Sequence, residues 1–395
     1  MITKLRVQNF KCLRDVTLGL GPLTVLIGPN DSGKSSLLDA LYLLCKTTTA
    51  PDLWSVFQGT TSAENLRWRR ERELDLRWEL EARVEAADFT YTFELTSDGT
   101  YVEDMMAPGR FSFSGRTPFA DPGARNRVHL IDERDGRHHR LPRDPNRSAL
   151  GALGYDQGRR VGAWPFLALL QTNGRYRLST DALRSPSVPT PGAVLSPTGD
   201  NLAAVVDAIL GGPDREARVA FETALEAIIP TLRGVTTPPA AGGEPGAKEV
   251  HFVLAGTNGK RPVTIPGALA SDGAMLVTAF LALAYGPTPD LLLIEEPENG
   301  LHPARVGEIM ELLRRMSRGE VGDRPRQIIV TTHNPLFLNQ ARPEEVRVVQ
   351  RDLETGTRVT PLADVKDIDE MLKDFGIGEL WALLGEKGLV EGATP

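Results

Sequence analysis

Cysteine is scarce in this chain of 395 residues, which contains only Cys12 and Cys45. Two cysteines without a CxxC pair build no disulfide framework, so a disulfide-held secreted domain is excluded and a reducing compartment is indicated. Long apolar runs are also missing: none approaches the length of a membrane span, and residues 1–5 show no signal-peptide pattern. We therefore expect a cytoplasmic protein with no membrane partner.

An excess of basic charge is missing as well. The formal net charge is -7, which argues against a uniformly basic surface for nucleic acid but leaves room for a local basic groove. Arginine and histidine residues between 106 and 163 are interleaved with acids. For this stretch we favour an irregular, solvated loop over a contact surface for nucleic acid or a partner.

The segment that organises the chain is residues 28–35, which match G-x-x-x-x-G-K-[ST] at every fixed position. An apolar strand pattern at 23–27 precedes it and helical apolar spacing at 36–44 follows it, as a phosphate-binding loop requires. Loop N–H groups and the helix start would bind phosphate, Lys34 would reach the β- and γ-phosphates, and Ser35 would ligate Mg²⁺. The predicted cofactor-binding residues are Gly28, Asn30, Asp31, Ser32, Gly33, Lys34, Ser35 and Ser36. No Asn-Lys-x-Asp tetrapeptide that reads guanine is present, so ATP is the expected nucleotide.

Lys11 is a further candidate for contact with the nucleotide. Alternating residues predict a small sheet over 2–27, and Lys11 closes its first strand. A tight N-terminal sheet could bring this side chain to the nucleotide, whereas the alternative is a solvated surface charge.

A second set of candidates follows two apolar strands late in the chain. The strand predicted at 291–294 ends in Glu295 and Glu296. A P-loop needs a carboxylate for Mg²⁺ and a base for water, so we assign Glu295 to the metal and Glu296 to the catalytic base. A solvated turn is the alternative for an acidic pair alone. His333 follows the strand predicted at 327–330 and is a second catalytic candidate that could bond the γ-phosphate or the attacking water, although a lone histidine is usually structural.

Two further patterns lie between the P-loop and the strand predicted at 291–294. Apolar and polar residues alternate over 74–84 and 89–95, which predicts an antiparallel hairpin with one face in water. Helical apolar spacing follows Asp200 and recurs at 214–229, which predicts a smaller helical region.

The order of these motifs resembles the ABC-type ATPase heads of the SMC/RecF/OLD group. It most resembles the stand-alone AAA-type ATPases related to OLD proteins, many of which belong to bacterial anti-phage systems. On matching positions, Gly28–Ser36 is the Walker A motif, Leu291–Glu296 the Walker B motif, Asn299–His302 the D-loop and His333 the H-loop residue. The resemblance implies an α/β fold: a P-loop NTPase of ABC-ATPase-head type with an antiparallel β-lobe and a smaller helical lobe.

The predicted boundaries follow from this resemblance. Residues 1–48 form the P-loop part of the ATPase core, and 49–175 an inserted β-lobe with the Arg-rich loop. Residues 176–262 form the helical lobe and linkers, and 263–395 the half with the signature, Walker B and H-loop motifs.

Residues 270–274, called the signature segment, stand where the family has L-S-G-G-Q. Ser271 and Gly273 match that motif, and the resemblance implies that they contact the nucleotide of a second copy. The segment departs from the motif at Ala270, Asp272 and Ala274, and Asp31 stands where the P-loop of the group often has Gly. A Q-loop glutamine is not obvious, and Gln171 is the candidate for that metal-binding position.

The resemblance implies a head-to-tail homodimer, or a higher assembly, that closes on ATP and Mg²⁺. We expect an ATPase that couples this closure to DNA or to a partner effector, in phage defence or DNA repair. The alternative is a low-turnover, nucleotide-gated scaffold that holds a separate toxin or nuclease. Only about sixty residues follow His333, too few for an added Toprim domain, so we expect any nuclease to be another polypeptide.

Overall fold

The computed structural model describes residues 1–107, 111–118, 127–132, 137–140, 147–153, 162–241, 244–256 and 261–391. The chain divides into two compact units. The first unit comprises Met1–Asn173, Pro343–Asp374 and Leu383–Pro395, and the second comprises Gly174–Arg342 and Phe375–Ala382. Both units are therefore assembled from segments that are distant in the sequence.

Strands and helices are both distributed along the whole of the described chain. The strands are β1 (Ile2–Phe10), β2 (Leu13–Gly19), β3 (Leu23–Ile27), β4 (Leu76–Val84), β5 (Ala87–Leu95), β6 (Thr100–Ala107), β7 (Phe111–Pro118), β8 (Arg127–Asp132), β9 (Arg137–Arg140), β10 (Asn173–Tyr176), β11 (Leu232–Thr236), β12 (His251–Leu254), β13 (Val263–Pro266), β14 (Leu291–Glu295), β15 (Gln327–Thr332), β16 (Val346–Asp352) and β17 (Gly356–Pro361). The α-helices are α1 (Lys34–Thr49), α2 (Leu53–Val56), α3 (Ala63–Leu66), α4 (Ala149–Ala152), α5 (Trp164–Gln171), α6 (Thr180–Leu183), α7 (Leu202–Gly211), α8 (Arg215–Ile228), α9 (Asp272–Tyr285), α10 (Pro303–Arg318), α11 (Pro335–Leu338), α12 (Ile368–Met371) and α13 (Ile377–Glu391).

The first unit contains an antiparallel sheet in the order β2-β1-β4-β5-β6-β7-β8-β9. Alternation along β4 and β5 puts one side chain in two into the core, because successive Cβ atoms point to opposite faces of a strand. Trp78 of β4 is buried there and donates its indole N–H to the Ala40 carbonyl of α1 at 3.1 Å. The sheet is thereby packed against the helix that follows the P-loop.

The prediction of an irregular loop over residues 106–163 was wrong for part of this stretch. The strands β7, β8 and β9 lie within it and continue the antiparallel sheet. Aromatic residues at 111 and 113 alternate with serines, and this period-two signal was hidden by the surrounding charges. The arginines at 125, 134 and 143 lie outside the described residues.

A second group of strands in the first unit carries the P-loop. All five residues of β3 are buried, and β3 pairs in parallel with β16, which pairs with β17 as an antiparallel hairpin. The helix α1 begins at Lys34, directly after the loop, and its apolar face is buried. The P-loop is therefore held between a core strand and a core helix.

The second unit contains β10, β14 and β15, in that order. β14 and β15 are parallel, with Leu291 opposite Gln327 and Glu295 opposite Thr331. Because parallel strands end at the same edge, the residues that follow β14 and β15 lie side by side. The helices α7 to α11 and the sheet β11-β12-β13 belong to the same unit.

Within the described part of the chain, no helix is both long enough and apolar enough to cross a bilayer.

Candidate functional site

The P-loop is curled around the amine of Lys34. The Lys34 Nζ donates to the carbonyl oxygens of Gly28 at 2.7 Å and Pro29 at 2.8 Å. Two loop residues have left-handed backbones, Asp31 with φ 63° and Gly33 with φ 110°. The lysine charge is thus held inside the turn, next to the N-terminus of α1.

Two contacts from the β16-β17 hairpin hold the backbone of the loop. The Thr357 hydroxyl donates to the Ser32 carbonyl at 2.9 Å, and Arg351 Nη1 donates to the Asp31 carbonyl at 3.1 Å. A Cβ on Gly33 would lie 2.5 Å from the Thr357 Oγ1, and one on Gly28 would lie 2.3 Å from the Val349 carbonyl oxygen. This close packing requires glycine at both positions. Sequence reasoning missed these contacts, because they join segments far apart in the chain.

We expect Thr357→Val to weaken ATP binding by about three- to tenfold, since a neutral hydrogen bond contributes about 1 kcal/mol. The substitution keeps the shape of the buried side chain and removes only the hydroxyl that holds the Ser32 carbonyl. Fluorescence titration with a labelled ATP analogue measures the Kd. Thr360→Val on the same strand is the matched control, and equal Kd values for both variants would contradict the role of Thr357.

Lys11 lies beside the first turns of α1. Its Nζ contacts the Asp39 Oδ2 at 2.5 Å and lies 5.6 Å from the centroid of the Phe10 ring. The neighbouring Cys12 Sγ lies 3.3 Å from the Ser36 Oγ. The fold therefore brings this turn to the P-loop helix, with the Lys11 charge engaged by Asp39.

Gln171 does not lie near the predicted metal position. Its side-chain amide donates to the Thr48 carbonyl at 3.2 Å, in the last turn of α1. A helix rises about 1.5 Å per residue, so Thr48 and Ser35 are about 20 Å apart. The structure therefore contradicts a role for Gln171 in binding Mg²⁺ at Ser35.

Glu295 is the last residue of β14 and forms an ion pair with Arg175. Both Nε and Nη2 of Arg175 contact the same carboxylate oxygen, at 2.9 Å and 2.6 Å. The Glu295 side chain is 10% exposed, so this interaction is only weakly screened. Sequence reasoning missed Arg175, which reaches Glu295 only because β10 and β14 are neighbours in the sheet.

Glu296 turns away from β14 and meets His333. Its backbone has φ 48°, a conformation that a residue other than glycine adopts at a cost of about 1–3 kcal/mol, and its N–H donates to the Thr331 carbonyl at 2.9 Å. One carboxylate oxygen lies 3.1 Å from the His333 Nδ1. The other accepts a hydrogen bond from the Asn299 side chain at 2.7 Å. The structure thus joins the two predicted catalytic residues and orients the acid from both sides.

Glu298 was not singled out from the sequence, yet it is buried directly behind this pair. It is 3% exposed, and one carboxylate oxygen accepts a hydrogen bond from the Thr332 hydroxyl at 2.5 Å. Burial raises the pKa of Glu298 above its ordinary value. Among the described residues, its second oxygen has no hydrogen-bond partner.

The signature segment begins α9. Ser271 is the N-cap of this helix and accepts from the Ala274 N–H at 3.3 Å. Arg184 Nη2 bonds the Asp272 carboxylate at 2.6 Å and the Ala270 carbonyl at 3.0 Å. A Cβ on Gly273 would lie 3.9 Å from the Gly300 carbonyl oxygen, so the segment packs against the D-loop of the same chain. Asp272, which stands where the L-S-G-G-Q motif has glycine, therefore forms an ion pair with Arg184 of the same chain.

The predicted metal ligands are of the type that suits the implied Mg²⁺. Ser35 offers a hydroxyl and Glu295 a carboxylate, the oxygen ligands that Mg²⁺ prefers. In the described part of the chain, no group of three or more His, Cys, Asp or Glu side chains could hold a metal ion.

Comparisons with known proteins place these features in a family. Residues 23–339 match the family model AAA_21, described as "AAA domain, putative AbiEii toxin, Type IV TA system". The chain is 25% identical over 399 residues to an OLD nuclease of Thermus scotoductus, an alignment that covers 96% of this chain and 68% of that protein. It is 42% identical over 78 residues to the DNA double-strand break repair Rad50 ATPase of Halobacterium salinarum, covering 20% of this chain and 8% of that one.

A solved structure shows the fold. The crystal structure of the SmcHead bound to the C-winged helix domain of ScpA superposes with a TM-score of 0.51 at 14% identity, and the superposition covers 91% of this chain and 97% of that one. The protein accordingly has the fold of an ABC-type ATPase head, as the resemblance implied. Because the family model matches most of its length, the chain belongs to the AAA_21 family of AAA domains.

Proposed function

We propose that the protein binds ATP with Mg²⁺ and hydrolyses it to ADP and phosphate. The observation that carries this proposal is the contact between Glu296 and His333 at the ends of two parallel strands. An imidazole and an amide orient this carboxylate, and an oriented carboxylate can act as a general base for water. The family membership and the complete P-loop support ATP as the substrate.

The P-loop of the first unit supplies the phosphate-binding groups. On ATP binding, Lys34 exchanges its bonds to the Gly28 and Pro29 carbonyls for bonds to the β- and γ-phosphates. Ser32 is also suited to binding phosphate, because its hydroxyl is buried and has no hydrogen-bond partner among the described residues. Ser35 would ligate the Mg²⁺ that accompanies ATP, Glu295 is the second candidate ligand, and the ion would neutralise phosphate charge.

Glu296 accepts a proton from the attacking water. One carboxylate oxygen accepts from Asn299 and the other lies 3.1 Å from the His333 Nδ1, and each keeps a lone pair with which to accept from water. His333 and Asn299 keep the carboxylate from rotating, so the remaining lone pairs point in defined directions. The side chain of His333 is 48% exposed, which leaves its ring able to contact the γ-phosphate or the water.

The proposed hydrolysis is tested by measuring steady-state phosphate release from ATP by the purified protein, with Mg²⁺ and with EDTA. We expect Mg²⁺-dependent turnover with saturation in ATP. Absence of turnover in a protein that binds ATP tightly would overturn the hydrolytic function. Repeating the assay with double-stranded DNA tests whether DNA stimulates hydrolysis. The names of two relatives, an OLD nuclease and a DNA double-strand break repair ATPase, suggest this experiment.

A low-turnover scaffold that holds a separate toxin or nuclease is the second candidate. Asp272 favours it, because a carboxylate in the first turn of α9 opposes the approach of a phosphate to that helix N-terminus. The ion pair with Arg184 reduces this repulsion. A turnover that stays very slow with DNA and rises with a co-purifying protein would support the scaffold.

We further propose a head-to-tail homodimer in which Ser271 and Gly273 contact the γ-phosphate bound by the second copy. The arginine in Ser271→Arg should block this closure through its bulk, while the same chain still binds ATP with the wild-type Kd. Size-exclusion chromatography with light scattering, in ATP and Mg²⁺, measures the association. We expect Glu296→Gln to accumulate dimer and the double variant with Ser271→Arg to stay open.

The matched control for this experiment is Ser62→Arg, which places the same residue at another helix N-cap, that of α3. It should leave the dimer formed by Glu296→Gln unchanged. Assembly that is independent of ATP and identical in all variants would show that the copies associate through another surface.

A further inference from the structure

Glu298 and Thr332 form a buried hydrogen bond immediately behind the Glu296–His333 pair. Glu298 is 3% exposed and Thr332 is fully buried, and the hydroxyl and carboxylate oxygens are 2.5 Å apart. Glu298 lies in the turn after β14, whereas Thr332 is the last residue of β15. The bond therefore joins the two chain segments that carry the proposed base and the histidine.

The Thr332 hydroxyl holds the backbone that follows His333. The backbone N–H of Asn334 donates to the Thr332 Oγ1 at 3.0 Å. The single hydroxyl proton of Thr332 is directed to Glu298, so the three groups form a continuous chain of hydrogen bonds. Asn334 in turn caps α11 by accepting from the Leu336 N–H at 2.9 Å. Glu298 is thus connected through Thr332 to the backbone that follows His333.

The turn that contains Glu298 also forms hydrogen bonds with Glu296. Asn299 donates its backbone N–H to the Glu296 carbonyl at 3.1 Å and its side chain to the Glu296 carboxylate at 2.7 Å. The Glu298 carbonyl accepts from the Leu301 N–H at 2.9 Å. Glu298 therefore belongs to a closely hydrogen-bonded turn that includes the proposed base.

We infer that Glu298 is a positioning residue for hydrolysis, which holds His333 against Glu296 through its hydrogen bond to Thr332. The inference rests on the proposed ATPase function and adds to it a residue that does not touch the substrate. A buried carboxyl with an oxygen that lacks a partner among the described residues destabilises a fold. An apolar side chain would serve packing better, so the bond to Thr332 accounts for an acid at this position.

Thr332→Val is the direct test, because it preserves shape and removes the hydroxyl. We expect kcat to fall about tenfold or more, since small displacements of catalytic groups have effects of that size, while the KM and the Kd for ATP stay near the wild-type values. Thr332→Ser restores the hydroxyl and should recover most of the lost kcat. Thr288→Val makes the same change at a buried threonine outside the site, whose hydroxyl donates to the Leu283 carbonyl, and should leave kcat near wild type.

Variants at Glu298 separate positioning from charge. Glu298→Gln keeps an oxygen that accepts from Thr332, so kcat should remain near wild type, whereas Glu298→Leu removes the acceptor and should lower kcat as Thr332→Val does. The double variant Glu298→Leu with Thr332→Val should be no slower than either single variant, because one hydrogen bond is lost in all three. A loss of kcat in Glu298→Gln equal to that in Glu298→Leu would overturn the positioning role.

A second readout does not depend on turnover. In NMR spectra of protein labelled at the histidine rings, the ring signals of His333, assigned with His333→Gln, should shift in Thr332→Val and return in Thr332→Ser, while those of His302 stay in place. Unmoved His333 signals would refute the inference even in an active enzyme. A wild-type protein that does not hydrolyse ATP would refute the proposed function, and the NMR result would still decide whether Glu298 and Thr332 position His333.

Discussion

Glu296→Gln is expected to bind ATP and Mg²⁺ with the wild-type Kd and to lower kcat by about 10²- to 10⁴-fold, the usual contribution of a general base. The amide keeps the length of the side chain and its oxygen can still accept from Asn299 or His333. It cannot take a proton from water. Phosphate release gives kcat, and titration with a labelled ATP analogue gives the Kd.

Glu308→Gln is the matched control for this variant. It makes the same change on α10, where the Glu308 carboxylate contacts Arg305 on the surface, and should leave both quantities unchanged. Glu295→Gln should instead weaken the dependence of ATP hydrolysis on Mg²⁺, because Glu295 is the proposed metal ligand. If Glu296→Gln loses nucleotide while Glu295→Gln keeps both ATP and Mg²⁺, the roles of the two acids are exchanged.

Lys34→Ala is expected to weaken ATP binding by about 100-fold or more, which corresponds to about 3 kcal/mol. Hydrogen bonds from a charged amine to phosphate oxygens each contribute about 1.5–3 kcal/mol, and the proposed site uses this amine for two phosphates. Isothermal titration calorimetry measures the loss directly. Turnover at a fixed, moderate ATP concentration should disappear with it.

Lys46→Ala is the control on the same helix. The Lys46 amine lies 4.8 Å from the centroid of the Tyr42 ring, in the last turn of α1 and away from the P-loop. This variant should bind ATP as the wild type does. An unchanged affinity in correctly folded Lys34→Ala protein would contradict the assignment of the P-loop as the nucleotide site.

Local sequence patterns were sufficient for the fold class and the family. The apolar runs of β3 and β14 are buried strands, and the alternation over 74–95 is the hairpin β4-β5. The ABC-type head inferred from the order of the motifs is confirmed by the family match and by the SmcHead structure. These features were readable because strand burial, strand alternation and P-loop curvature each depend on residues close together in the chain.

The errors came from patterns that were weak or ambiguous. Charged and histidine residues concealed β7, β8 and β9, whose pairing is decided by the neighbouring strands of the sheet. Gln171 was selected for its place after an apolar run, but its side chain bonds Thr48 at the far end of α1. A position in the sequence could not show which end of the helix this side chain would reach.

The sequence by itself determined the identity of the chemical groups: an amine and glycines in a phosphate-binding loop, two acids after one apolar strand and a histidine after another. Only the tertiary structure decided which of these groups meet and what supports them. Arg175 reaches Glu295, Thr357 holds the Ser32 carbonyl, and Glu298 bonds Thr332, and none of these pairs is close in the chain. The physical reason is that strand order and parallel pairing set these distances, and both arise from burial of whole strands and not from local spacing.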